Sequence, residues 1–358
     1  GPAPALTVML PGTLLTGREM RMGEAVWVFC SLAFLAGSGL WLAVRRRFFP
    51  ESTAMLAPLG VLAIGCGTHL LALAQRPLIW ELPIAAGVAF SLMAAGAIHW
   101  ALHGRWPRTA MALAGLSLGL AVGSRPTWLL AAPALLVPLW RARGEGPAGR
   151  WRQLALAGAL PLAGCGLALM AHNYARFDNP LEWGQNYQLS GAYESRLTHF
   201  SLRFIAHNLG VYFFQPLQWT WEFPFTRAVG IAIDHIPEYF GTEEAAGLAV
   251  TFVYGWFVLA LPLAWWRRAT PESAGLGASV AVIAVVTLPV MVLVMAYFST
   301  TTRYQTDFAV GFAILALIGM LGLERWAQSY GWWLAWLARG AAGAICLLAV
   351  PVGTGADG

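Results

Sequence analysis

Two charged residues, Arg303 and Asp307, stand four positions apart just before an apolar run. Thr300, Thr301, Thr302 and Tyr304 surround Arg303 and make the stretch polar. Residues four apart share one face of a helix, so the pair could be a helix-end ion pair worth about 0.3–0.5 kcal/mol. Alternatively, Arg303 could bind a phosphate bidentately, because a planar guanidinium matches phosphate geometry. The residue pattern leaves both interpretations open.

A second arginine with two interpretations is Arg125, which stands before Pro126 and between two short apolar runs. Proline removes a helix donor, so we predict two short helices over residues 109–124 and 126–140 with a turn at the membrane boundary. Arg125 at that turn could extend its charge toward water, or it could contact a phosphate.

A third group of polar residues follows the apolar run 153–171. Charge and hydrogen-bonding groups are costly near a bilayer, so such residues are candidates for function. We predict a pocket that recognises a lipid phosphate through Arg303, Arg125 and Tyr304. We expect its lining to include His172, Asn173, Tyr174, Glu182 and Asp307. The sequence predicts no metal-binding residue, and a divalent metal is a cofactor left open.

The elements that must position these residues are apolar. Of the 358 residues, 58% are hydrophobic and 11% are charged, against about 25% charged in an average soluble domain. This composition excludes an ordinary soluble enzyme. The chain has no lysine, so arginine alone carries the positive charge, and the net charge is +5. The sequence shows no basic stripe, so nucleic-acid binding is not predicted.

Recurrent uncharged runs predict an all-α, polytopic membrane protein with about nine or ten transmembrane helices. The longest runs cover residues 25–44, 52–74, 82–104, 153–171, 245–266 and 276–298. Residues 308–323 add another span, and residues 331–351, interrupted by Arg339, would be a tenth. We divide the chain into N-terminal helices (1–172), an external segment (173–244) and C-terminal helices (245–358).

Arginine distribution predicts the orientation. If the spans alternate, one side receives Arg45, Arg46, Arg47, Arg105, Arg108, Arg141, Arg143, Arg150, Arg152, Arg267, Arg268 and Arg325. The short loops opposite hold Arg76, Arg125 and Arg303, with Arg18 and Arg21. Because cytoplasmic loops are enriched in basic residues, the arginine-rich side should be cytoplasmic and segment 173–244 external.

The external segment is rich in aromatic residues and too apolar to be a solvated linker. We expect it to pack on the membrane surface or on the helix bundle. Within it, residues 201–215 are predicted to form an interfacial helix that ends before Pro216. Arg203, His207 and Asn208 should remain in contact with water.

Several local motifs together resemble a family. These are the Gly/Leu-rich run from Gly115 that leads into Arg125-Pro126-Thr127, the segment 173–184, residues 204–214 followed by Pro216 and by Pro224-Phe225, and Arg303-Tyr304-x-x-Asp307-Phe308. They are similar to motifs of bacterial GT-C-type membrane glycosyltransferases, the group that includes protein mannosyltransferases and aminoarabinose transferases. The opening residues 1–6 resemble the end of the first external loop in that family.

This resemblance implies a polyprenyl-phosphate-linked sugar as donor and transfer to an extracytoplasmic acceptor at a bacterial cytoplasmic membrane. It places the catalytic carboxylate upstream of Gly1, so no residue here is assigned that role. Two alternatives stay open: a lipid or solute transporter, and a non-catalytic accessory subunit with a GT-C-like fold. The expected partners are the bilayer and the lipid-linked sugar, with membership of a larger membrane complex left open.

Overall fold

A computed structural model of the chain describes residues 1–76, 78–145, 149–184, 187, 198–219, 221, 226–228, 236–237, 239, 241–242 and 246–355. Helices form most of this chain. The strands are only two or three residues long: β1 (Leu217–Trp219) pairs antiparallel with β2 (Thr226–Ala228), and β3 (Gly241–Thr242) pairs parallel with β4 (Ser299–Thr300). The all-α prediction is confirmed.

Five helices are long and apolar enough to cross a membrane. They are α2 (Met22–Phe48), α5 (Glu81–His103), α8 (Arg150–Phe177), α11 (Thr270–Met295) and α12 (Thr302–Gln328). Each has more than the about 20 residues that a helix needs to cross hydrocarbon. These lengths and compositions are those of a helical membrane protein, as the sequence predicts.

The other helices are shorter or interrupted, apart from the 24-residue α13 (Trp332–Gly355), which coincides with the tenth predicted span. A π-helical turn, Ala5–Met9, leads into α1 (Leu10–Thr16), and residues 52–74 contain α3 (Leu56–Cys66) and α4 (Leu70–Gln75). Then come α6 (Pro107–Ser124), a 3₁₀ helix over Pro126–Leu135, and α7 (Leu136–Glu145). Later in the chain come α10 (Leu248–Thr251), a 3₁₀ helix over Val253–Trp265, and finally α13 (Trp332–Gly355). The total of nine or ten crossings therefore stays a prediction.

Helix α12 is the centre of the bundle, with buried residues on nearly every face. It packs against the 3₁₀ helix Val253–Trp265, where Gly319 lies so close that a Cβ atom would collide with the carbonyl oxygen of Phe257. Small residues allow helix backbones to approach in a bilayer, where tight packing replaces the hydrophobic effect. Gly319 thus fixes the distance between the two elements.

The bundle has two chemically different ends. At one end, here called the Arg125 end, the start of α5 contacts the start of α12 through Glu81 and Arg303. At the other, the Arg47 end, Arg268 donates to the carbonyl oxygen of Phe48 at the end of α2. Helices α5 and α12 thus both begin at the Arg125 end, and α2 ends at the Arg47 end.

Part of segment 173–244 packs on the Arg125 end. Ser201 begins a helical stretch that runs through a 3₁₀ turn (Leu202–Phe204), α9 (Ile205–Leu209) and a π-helical turn (Gly210–Phe214). The Ser201 hydroxyl accepts a hydrogen bond from the backbone N–H of Arg203, a typical N-cap. The predicted helix over 201–215 is confirmed to within a residue at each end. Pro224 and Phe225, which belong to a family-like motif, lie outside the described residues.

Candidate functional site

The centre of the candidate site is an ion pair between Arg125 and Asp307. Arg125 ends α6 with an extended backbone (φ −142°, ψ 126°), the conformation favoured for a residue before proline. This directs its guanidinium away from the α6 axis and onto the carboxylate of Asp307, in the first turns of α12. The Asp307 side chain is 1% exposed and that of Arg125 is 19% exposed, so the pair is largely shielded from water.

Arg303 contacts a different carboxylate. Its Nη1 lies 3.8 Å from Oε1 of Glu81, whose side chain is 1% exposed. Asp307 turns to Arg125, so the ion pair four residues apart within α12 is not formed. That part of the sequence interpretation is wrong, because two other helix ends supply closer partners of opposite charge.

Tyr304 lies beside both arginines. The Cζ atom of Arg125 is 5.2 Å from the centre of its ring and that of Arg303 is 5.7 Å away. Both distances suit an attractive cation–π contact. Tyr297 packs edge-on against the same ring at 5.5 Å. The aromatic ring thus links the two guanidinium groups and is itself held from one side.

A cavity of about 670 Å³ opens at this point. Arg125, Tyr304 and Tyr297 supply polar atoms to its lining, and apolar side chains supply most of the rest. The full lining is Arg125, Pro126, Thr127, Leu129, Leu130, Trp183, His199, Phe200, Leu293, Val294, Tyr297 and Tyr304. A cation beside apolar walls suits an amphipathic ligand with an anionic group and a hydrocarbon part.

Of the residues that the sequence places at this pocket, Arg125 and Tyr304 line it. Arg303 and Asp307 are outside the lining, but each contacts a lining residue: Arg303 stacks on Tyr304, and Asp307 pairs with Arg125. The structure therefore brings four of the predicted residues together.

The remaining predicted residues are also outside the cavity lining: His172, Asn173, Tyr174 and Glu182. Asn173 donates to the carbonyl oxygen of Pro180 at 3.4 Å, and Glu182 accepts from the backbone N–H of Gly184 at 2.7 Å. These short-range hydrogen bonds close the turn after α8. In the same segment, Trp183 lines the cavity.

The helical stretch over residues 202–214 is fastened to the site through Asn208. Its side-chain amide donates to the carbonyl oxygens of Met295 and Tyr297, at 2.7 Å each, and its oxygen accepts from the Tyr239 hydroxyl at 2.8 Å. The prediction that Asn208 remains in contact with water is wrong. Asn208 is fully buried, because carbonyl oxygens of the bundle replace water as its hydrogen-bond partners. Arg203 is exposed and His207 is half-buried.

Tyr239 reinforces this attachment. Its hydroxyl is also hydrogen-bonded to the Thr300 hydroxyl, at 3.1 Å. Burial raises the pKa of Tyr239 to about 12, while the Thr300 hydrogen bond opposes the rise. The phenol therefore keeps its proton at neutral pH and acts as a donor to Asn208.

The sequence interpretation missed Tyr297, His199 and Phe200 as lining residues. Phe200 forms an antiparallel bridge with Tyr297, and the backbone N–H of Phe298 donates to the carbonyl oxygen of His199 at 3.0 Å. The sequence shows many aromatic residues on both sides of the two polar stretches. That pattern does not reveal that two segments about 100 residues apart pair with each other.

In the described part of the chain, no group of three or more histidine, cysteine, aspartate or glutamate side chains is placed to hold a metal ion. The site is therefore defined by two guanidinium–carboxylate pairs, a shared tyrosine and an amphipathic cavity.

Comparison with known proteins found no matching family model, no similar curated protein and no similar solved structure.

Proposed function

We propose that this chain belongs to a membrane glycosyltransferase that takes a sugar from a polyprenyl-phosphate donor. The observation that carries the proposal is Arg125, a cation held at the wall of a 670 Å³ cavity whose other walls are mostly apolar. A polyprenyl phosphate has the matching chemistry, because its phosphate is anionic and its chain is hydrocarbon. The GT-C-like motifs around Arg125 and Arg303 favour the same reading.

In this proposal Arg125 binds the donor phosphate by charge-assisted hydrogen bonds. The bond between the sugar and the phosphate oxygen breaks during transfer, and negative charge grows on that oxygen. The Arg125 cation stabilises this charge. Asp307 positions Arg125 and balances its charge. Tyr304 and Arg303 are positioning residues, since the ring packs between both guanidinium groups. The general base that accepts the acceptor proton is not assigned to any of these residues.

The site would face the extracytoplasmic side of a bacterial cytoplasmic membrane, with nine or ten crossings in a GT-C-like arrangement. The support is indirect: the cavity lies at the end of the bundle opposite the arginine-rich loops. Basic loops favour the cytoplasm. The acceptor would then approach from the side where residues 198–214 cover the bundle.

A lipid transporter is a second candidate, favoured by one observation. Helical runs are interrupted at two places at the Arg125 end: between α3 and α4, and at Arg125 itself. Transporters often build substrate sites from paired discontinuous helices. The two candidates share the phosphate site and differ in the product, because a transporter moves the lipid and leaves the sugar–phosphate bond intact.

The test uses the full-length protein in detergent with a polyprenyl monophosphate as probe. The double variant Arg125→Gln/Asp307→Asn removes the pair without leaving an unbalanced charge. The matched control Glu324→Gln/Arg339→Gln removes another ion pair of α12 with a buried carboxylate, which lies outside the cavity lining. We expect the first to weaken binding at least about tenfold, the scale of one lost charge-assisted hydrogen bond, and the control to bind nearly as the wild type.

Both variants are checked for a monodisperse profile before binding is measured. Unchanged binding by a folded Arg125→Gln/Asp307→Asn protein would refute the phosphate role. Transfer of sugar from a polyprenyl-phosphate donor distinguishes the enzyme from a transporter. Translocation of intact donor lipid across proteoliposomes, with the sugar–phosphate bond unbroken, would favour the second candidate.

A further inference from the structure

At the Arg47 end, three arginines from three helices line one small cavity of about 190 Å³. They are Arg47 of α2, Arg141 of α7 and Arg150 of α8. Arg47 and Arg150 are exposed and Arg141 is half-buried. Among the residues described as lining this cavity, none is acidic. Three guanidinium groups around one cavity give it a positive potential, and a positive potential attracts an anion.

A groove continues from this cavity along the surface of the bundle. It has a volume of about 610 Å³, lies between α2, α5 and α6, and shares Arg47 and His103 with the cavity. Leu35, Met93 and Leu113 line it, and each is more than a third exposed. The groove is thus an open, apolar channel with a cation at one end.

Two glycines keep the groove open. Gly39 of α2 and Gly96 of α5 line it, and a Cβ atom added at either position would meet no atom within 4 Å. The helices do not need these glycines for close approach to each other at these points. Larger side chains would instead occupy the groove itself.

We infer that the Arg47 end binds an anionic phospholipid, with the phosphate among Arg47, Arg141 and Arg150 and one acyl chain in the groove. Guanidinium groups hold phosphate oxygens through paired hydrogen bonds. Basic pockets between membrane helices are suited to lipid headgroups, and an acyl chain matches an apolar channel open to the bilayer. This site lies at the opposite end from the Arg125 cavity and does not depend on the proposed transferase activity.

The first test asks which chemical class binds. Delipidated full-length protein in detergent is given phosphatidylglycerol, phosphatidylcholine or inorganic phosphate, and the bound lipid is counted by native mass spectrometry while the melting temperature is recorded. We expect phosphatidylglycerol to remain bound and to raise the melting temperature. Equal effects of phosphatidylcholine would overturn the role of the arginines, and equal stabilisation by inorganic phosphate would overturn the role of the groove.

The second test uses variants at accessible positions, which should leave the fold intact. Arg47→Gln removes a cavity charge, and Arg46→Gln removes the same charge from an exposed neighbour that lines neither the cavity nor the groove. Gly96→Leu fills the groove, whereas Gly166→Leu adds the same bulk at a site on α8 with equally open space.

We expect Arg47→Gln and Gly96→Leu each to weaken phosphatidylglycerol binding at least about tenfold, with both controls near the wild type. If Arg46→Gln weakens binding as much as Arg47→Gln, only overall charge matters and the site is wrong. If Gly96→Leu binds as the wild type, the acyl chain does not occupy the groove.

Discussion

Asp307 pairs with Arg125, 182 residues earlier in the chain, although Arg303 lies only one helical turn away. Arg303 instead contacts Glu81 at the start of α5. The first turns of α12 are consequently tied to the ends of two other helices, one by each charge. Both contacts meet at Tyr304, so the arrangement that shapes the cavity also joins three parts of the bundle.

The first prediction concerns the stability of this arrangement. Arg125→Gln should leave the Asp307 carboxylate buried without its partner, and breaking a buried pair in this way costs about 3–5 kcal/mol. The double variant Arg125→Gln/Asp307→Asn should recover much of that loss, because no buried charge is left unbalanced. Thermal unfolding of the purified protein in detergent measures both. Equal melting temperatures for the wild type and Arg125→Gln would show that the pair is not shielded from water.

The sequence predicted these elements better than their contacts. The end of the helix over 201–215 follows from Pro216, a local signal. The partner of Asp307 depends instead on how α6 and α12 pack, which spacing within α12 does not reveal. Hydropathy likewise counted residues 52–74 as one run, although the helix is interrupted between Cys66 and Leu70.

Asn208 illustrates the same limit for a single side chain. A polar residue on an amphipathic stretch is normally expected to face water, and that expectation is wrong here. Two bundle carbonyls and the Tyr239 hydroxyl satisfy its amide, so its burial carries no unpaired polar atom. Only the tertiary contacts show those partners.

The second prediction tests this anchor. Asn208→Asp keeps the shape of the side chain but removes the two hydrogen-bond donors, leaving the carbonyls of Met295 and Tyr297 without them. Unsatisfied buried groups cost about 1–3 kcal/mol each. Amide hydrogen exchange over residues 202–214 should therefore become faster while exchange in α12 changes little. Leu202→Ala, at a position of the same stretch that is 81% exposed, is the control. Unchanged protection in Asn208→Asp would argue against the anchor.

The third prediction concerns the packing of α12. A Cβ atom at Gly319 would collide with the carbonyl oxygen of Phe257, so Gly319→Ala must push the two backbones apart. Overpacking of this kind costs about 1–3 kcal/mol. The matched substitution Gly166→Ala adds the same methyl group where no atom lies within 4 Å and should be nearly neutral. Melting temperatures in detergent compare the two, and the packing described for Gly319 is contradicted if its variant is as stable as the control.

The last prediction tests which end of the bundle faces the cytoplasm. Leu202 is 81% exposed beside the Arg125 end, and Gly144 is exposed in the last turn of α7 at the Arg47 end. Single cysteines at these two positions are introduced after Cys30, Cys66, Cys165 and Cys346 have been replaced. In intact cells, a membrane-impermeant maleimide should label position 202 and should reach position 144 only after permeabilisation, because the arginine-rich end is expected to be cytoplasmic. The reverse pattern would place the Arg125 cavity on the cytoplasmic side. Transfer of a sugar to an extracytoplasmic acceptor at that cavity would then be excluded, whereas phosphate binding by Arg125 would still be open to its own test.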